Sequence, residues 1–237
     1  MKHQLYRKGN WGVKDLGWLQ SRLCFSFSDY AQPNCAGFGL LRVFNDDRVA
    51  PGKGFGLHAH QNMEIISILL QGRMNHKDTL GYNEVMEAGA VQVMSAGSGL
   101  RHEEYNVGEE EVRFLQIWVE PKLSNIAPRY QRRHFSETQR RNRLLKVVSY
   151  EPGTTHCWTN QFLRVYWGWF EQGKKEKYST YSEGGTCSFV YVINGSMEVN
   201  DIPLLAGDGL GLWDTENIVF NPEQESTFVV IEVPINH

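Results

Sequence analysis

Seven short apolar runs, FGLLRVFN, EIISILLQ, AVQVMSA, RFLQIWVE, LRVYWGWF, CSFVYVIN and FVVIEVP, recur along the 237-residue chain, separated by stretches rich in glycine, proline, asparagine and aspartate. Runs of this length with β-branched and aromatic residues are strand signals, and their close spacing predicts an all-β sandwich or barrel. No long amphipathic helical pattern accompanies them. Residues 121 to 143, PKLSNIAPRYQRRHFSETQRRNR, break the pattern: apolar residues thin out and arginines cluster, which predicts a solvated connector with a helical turn.

A weak repeat lies on either side of that connector. LLQGRMNH followed by MEAGAVQVMSAG parallels VINGSMEVN followed by LLAGDGLGLW, so two related β-barrels in tandem are expected. The division is residues 1–125, a linker at 126–143, and residues 144–237. Asn194-Gly195 and Gln71-Gly72 are expected to be hairpin turns, because asparagine and glycine tolerate positive φ.

Composition removes several classes of function. A hydrophobic content of 41%, a charged content of 22% and a net charge of −3 describe an ordinary globular chain with no basic tail for nucleic acid or anionic membrane. The N-terminal stretch shows no secretory signal, and no window holds eighteen consecutive apolar residues, so a cytoplasmic protein is expected. Cys24, Cys35, Cys157 and Cys187 form no CxxC pair and are read as free thiols filling the core.

The chemistry concentrates in two stretches. In GKGFGLHAHQNME, His58 and His60 share one face of an extended strand while Ala59 faces away, and Glu64 has the same parity if the strand continues without a bulge. In SAGSGLRHEEY, His102 and Glu104 share a face and Glu103 points opposite. Three imidazoles and a carboxylate form a nitrogen and oxygen set suited to Fe(II), Mn(II), Ni(II), Co(II), Cu(II) or Zn(II). A single histidine is usually a surface or hydrogen-bonded core residue, and His3, His134, His156 and His237 are read that way. Three of eight histidines in two glycine-flanked strands favour a metal instead. His76 is intermediate, lining the cavity or supporting a ligand. Gly52, Gly54 and Gly56 are expected to form a bend entering the first strand, because no GK[ST] makes them a phosphate loop.

With these residues in view, the chain resembles the pirin-family bicupins and is similar to the bacterial pirin-like quercetinases. Gly52, His58, His60, Glu64 and Gly72 match the first cupin motif; Gly99, His102 and Glu104 match the second. DLGWL, FSFSDY, LRVFNDD, MSAGSGLRHEEYN, QIWVEP and PRY extend the likeness through the first half. In the second half it rests on Asn194-Gly195, GDGLGLWD and FVVIEVP. The resemblance implies two tandem cupin barrels, jelly-roll-like, with a metal held by His58, His60, His102 and Glu104, and it leaves Glu64 a supporting residue. The second barrel, lacking HxH, is expected to be metal-free. Ala59 departs from the proline usual between the two histidines.

The implied activity is dioxygenation of a flavonol by O2, opening the central heterocycle and releasing carbon monoxide. Glu104 is the implied general base and one divalent ion the cofactor, Fe2+ first among Fe2+, Ni2+, Co2+, Mn2+, Cu2+ and Zn2+. Phe55, Met63, Met94 and Trp118 are candidate pocket walls with core packing as the competing reading, while Trp158, Trp167 and Trp169 are expected to pack the second half. The same resemblance carries an alternative, a non-enzymatic redox-sensitive regulator that acts through protein partners. A monomer that binds neither nucleic acid nor membrane is expected under the enzymatic reading.

Overall fold

The computed structural model describes residues 1–33, 35–180 and 185–235, and His237 lies outside them. The chain folds as an all-β bicupin. Each half pairs a seven-stranded sheet with a four-stranded one, and the only α-helix among the described residues is the single turn Glu137–Arg140.

The two seven-stranded sheets face each other, which explains why their strands read as continuous apolar runs. Ile66, Ile68, Val91, Val93, Leu115 and Ile117 of the first half meet Val165, Trp167, Phe189, Tyr191, Val229 and Ile231 of the second in one buried cluster. A strand buried on both faces has no polar alternation. The opposite face of each large sheet turns toward the four-stranded sheet of its own half.

The seam also carries polar locks. Arg113 grips Asp46 with two bonds of 2.9 and 2.6 Å, and Tyr191 of the second half donates its hydroxyl to Asp46 Oδ2 at 2.6 Å. Glu64 accepts from Ser95 Oγ at 2.6 Å and from Thr159 Oγ1, across the seam, at 3.0 Å.

The sheets do not respect the division drawn from the sequence. Lys2–Tyr6 leaves the first half and pairs antiparallel with Gly209–Trp213 in the second, where Tyr6 packs against Phe189. Within the supposed linker, Arg129–His134 is a strand on the edge of the first large sheet, paired with Ala90–Ser95. Its arginines are not simply solvated: Arg129, Arg140 and Arg141 stack over Trp158, Trp167 and Trp169, at 4.2, 3.6 and 5.3 Å from the rings. Each contact is a cation-π pair that fastens the connector to the second half. Polar sequence hid the strand because its apolar partners lie across the seam rather than along it.

The two predicted hairpin turns are corners. Glu64–Gln71 lies in a seven-stranded sheet and Arg73–Asp78 in the facing four-stranded one, and the same holds for Thr186–Asn194 and Ser196–Val199. Gly72 (φ 81°) and Gly195 (φ 85°) turn the chain between layers. A Cβ at either would meet a backbone carbonyl, Glu111 O at 2.9 Å or Glu225 O at 2.2 Å, so glycine is required by space as well as by φ. All four cysteines are free and buried, as core filler requires.

Candidate metal centre

His58 and His60 lie on the strand Gly54–His60, an edge of the first four-stranded sheet, and His102 and Glu104 lie on its neighbour Leu100–Asn106. An edge position admits either alanine or proline at residue 59. His102 stands directly opposite His58. The register then slips by one residue before Glu104 pairs with Phe55, so the bulge falls on the glycine-bearing strand and leaves the period of two intact between His102 and Glu104. Glu103 points outward to Lys77, 3.2 Å away.

The glycines have divided roles. Gly52 takes the bend (φ 68°). At Gly54 a Cβ would lie 2.1 Å from the Glu104 carbonyl oxygen, so its bare Cα is what lets the two site strands approach.

The three imidazoles converge. Ring centroids are 4.4 Å apart for His58 and His102, 4.8 Å for His58 and His60, and 4.9 Å for His60 and His102. One ligating nitrogen from each lies within 4.8 Å of the others. His58 Nδ1 is engaged by the Gly56 carbonyl at 2.7 Å, which leaves Nε2 for a ligand. His102 is buried and neither of its ring nitrogens has a hydrogen-bond partner. A fully buried, unpartnered imidazole is costly in a protein interior, and a cation shared with His58 and His60 would satisfy it.

Glu104 joins through His102. A second group, His76, His102 and Glu104, likewise brings its ligand atoms within 4.8 Å. Gln92 Nε2 donates to Glu104 Oε1 at 2.5 Å and to Ser67 Oγ at 3.0 Å. His76 Nδ1 faces the same Oε1 at 3.8 Å, its Nε2 is held by Asp78 Oδ2 at 2.9 Å, and its ring stacks on Tyr130 at 4.2 Å. His76 is thus a neighbour of the site carboxylate, and Asp78 is the residue that orients it.

Protonation states suit a cation. Burial, reinforced by the like charge of His58, pushes His60 down to about 4, and burial does the same to His102. Burial alone would push Glu104 up; the facing His76, His102 and the Gln92 bond override it and hold the carboxyl down to about 2. Both histidines are therefore neutral and the carboxylate ionised at neutral pH, the donor forms that metal binding needs.

Glu64, given the parity of the two histidines in the sequence reading, is not among these groups. Asn62 sits in the left-handed region (φ 50°) and ends the strand before it. Glu64 restarts on a different sheet with its carboxyl at the seam, a supporting role. Of the candidate walls, Trp118 touches the site directly, 4.9 Å from His60. Met63 and Met94 pack with it in one apolar cluster, and Phe55 packs, partly buried, against another.

Residues 6–119 match the family model Pirin, and residues 146–233 match the model of a quercetinase C-terminal cupin domain. A quercetin 2,3-dioxygenase of Escherichia coli K12 is 34% identical over 94% of this chain and 95% of that protein. The chain belongs to the pirin family. A pirin-like protein of Caulobacter vibrioides is 36% identical over 93% of this chain and 95% of its own length. The crystal structure of the bacterial pirin YhhW from E. coli in complex with nickel(II) superposes with a TM-score of 0.92 at 32% identity, covering 99% of this chain and 100% of that one. No helix among the described residues is long and apolar enough to cross a membrane.

Proposed function

We propose that this pirin is a metal-dependent dioxygenase that opens the central heterocycle of a flavonol with O2 and releases carbon monoxide, and that His58, His60, His102 and Glu104 hold its divalent transition metal. The observation that carries the reading is His102, buried with both nitrogens unpartnered between two histidines and an ionised carboxylate. The names of the relatives and the nickel complex of YhhW support it. Bound there, the ion would supply a Lewis acid that favours the deprotonated flavonol 3-hydroxyl. Iron is the first candidate and nickel, cobalt, manganese, copper or zinc are alternatives, since the ligand set admits all of them.

The chain's own residues do the rest. Gln92 pins Glu104 through Oε1, which leaves Oε2 as the atom to ligate or to take the 3-hydroxyl proton. Asp78 and Tyr130 fix His76 beside that carboxylate, 3.8 Å from Oε1, where its imidazole is placed to take over the proton that Glu104 accepts. Trp118, Met63 and Met94 supply apolar surface that excludes water from the aromatic substrate. Glu104→Gln should lower quercetin turnover at least 100-fold while quercetin still binds. Retention of full activity by a variant that still holds metal would remove Glu104 as the base.

A further inference from the structure

The inner face of the first large sheet is layered, and one layer is out of character for a core. Paired residues on adjacent antiparallel strands point to the same face, so the register sets out rows across the sheet. Val43, Trp118, Ile65 and Met94 form one apolar row. Two residues further along each strand the row reads Asn45, Gln116, Ser67 and Gln92. Beyond it Phe114 and Leu69 return to apolar packing, with Asp47 beside Phe114.

The bond from Gln92 to Glu104 shows that this polar row faces the metal centre. The row covers four strands, three spacings or about 14 Å, the reach of a three-ring flavonol. Asn45, Asp47 and Gln92 are each at most 2% exposed. Yet Asn45 Oδ1, Asp47 Oδ1 and Gln92 Oε1 have no hydrogen-bond partner. Three buried, unpartnered acceptors in one interior are costly and call for donors.

The second half supplies the contrast. Its inner face carries a buried polar row too, Ser149, Arg164, Glu232 and Ser188 on four adjacent strands, but there Arg164 pairs with Glu232 and Glu151, so that row is satisfied within the chain.

We propose that Asn45, Gln92 and Gln116, with Asp47 behind them, are the specificity determinants of the first cupin, and that they accept hydrogen bonds from hydroxyl groups on the rings of the substrate. The substrate class is a polyhydroxylated aromatic, chosen over an aromatic of the same shape without ring hydroxyls. This rests on the dioxygenase reading for the placement of the substrate, but the selectivity is separately measurable. A site built to hydrogen-bond a hydroxyl discriminates strongly against the analogue that lacks it, because its own buried groups are then left unpaired.

The test is equilibrium binding of quercetin and of 3-hydroxyflavone, which keeps the 3-hydroxyl but lacks the hydroxyls of the two outer rings, to the metal-reconstituted protein, read by quenching of tryptophan fluorescence, with turnover of both measured in parallel. The wild type should prefer quercetin at least tenfold in Kd. Asn45→Leu should lose about tenfold in quercetin affinity and change 3-hydroxyflavone affinity less than threefold, collapsing the ratio toward one. Gln116→Leu, at a half-buried position of the same row, provides the second variant if Asn45→Leu fails to fold. An unchanged ratio in the variants, equal weakening of both flavonols, or no preference in the wild type overturns the inference. Turnover with an unchanged ratio would do so while sparing the dioxygenase reading. A collapsed ratio without turnover by the wild type would instead support the inference and sink that reading.

Discussion

The Asp47 carboxyl is fully buried with Oδ1 unpartnered, and burial pushes it up to about 7 from 3.8, helped by the charges of Asp46 and Glu104 and opposed only by Ser21. A raised carboxyl means that the folded state binds a proton the unfolded state has already released. Stability from this group is therefore present at low pH and is lost as pH rises from about 4 to about 7. Between pH 5 and pH 8 the group titrates over roughly two units, at about 1.4 kcal/mol each, so roughly 3 kcal/mol of stability should disappear. Asp47→Asn keeps the shape and abolishes the titration. Urea unfolding of chelator-treated protein at the two pH values should show the variant gaining on the wild type by roughly that amount at pH 8 relative to pH 5, with the same m-value. Parallel pH profiles for the two proteins would refute the reasoning, because Asp47 would then be ionised in the fold at little cost.

Two further perturbations probe the seam and the approach of the site strands. Tyr191→Phe removes the hydroxyl donated to Asp46 across the seam and should cost about 1.5–3 kcal/mol in urea unfolding, the range for a hydrogen bond to a charged group; an unchanged midpoint would show that Arg113 alone satisfies Asp46. Gly54→Ala places a Cβ 2.1 Å from the Glu104 carbonyl and should lower metal affinity at least tenfold in a competition titration; wild-type affinity would show that the two strands part without disturbing the ligands.

The convergence of the candidate residues was legible because strand periodicity is local: His58 with His60, and His102 with Glu104, need only a period of two, and the bulge happens to fall on the partner strand. Glu64 shows the limit of that reasoning. A single residue, Asn62, in the left-handed region ends the strand, and parity counted through it carries no meaning. Gln92 carried a faint signal, a polar residue inside the apolar run AVQVMSA. Asp78 carried another, sharing parity with His76. Neither could be tied to Glu104 without the pairing of distant strands. The crossing of Lys2–Tyr6 into the second half and the strand at Arg129–His134 were invisible for the same reason. Their partners, Gly209–Trp213 and Ala90–Ser95, lie far away in sequence, and edge strands need not be apolar on both faces. The polar row from Asn45 to Gln92 exists only as register, since Ser67, Gln92 and Gln116 each sit singly in an apolar run and Asn45 is one of several consecutive polar residues.

Quercetin-dependent oxygen uptake and carbon monoxide release, measured on metal-stripped protein reconstituted separately with each candidate divalent ion and on His58→Ala treated alike, test the central claim most directly. The account predicts uptake with carbon monoxide for at least one ion, and loss of both with His58→Ala. No uptake by protein shown to hold one ion per chain, or undiminished uptake by the variant, would contradict it.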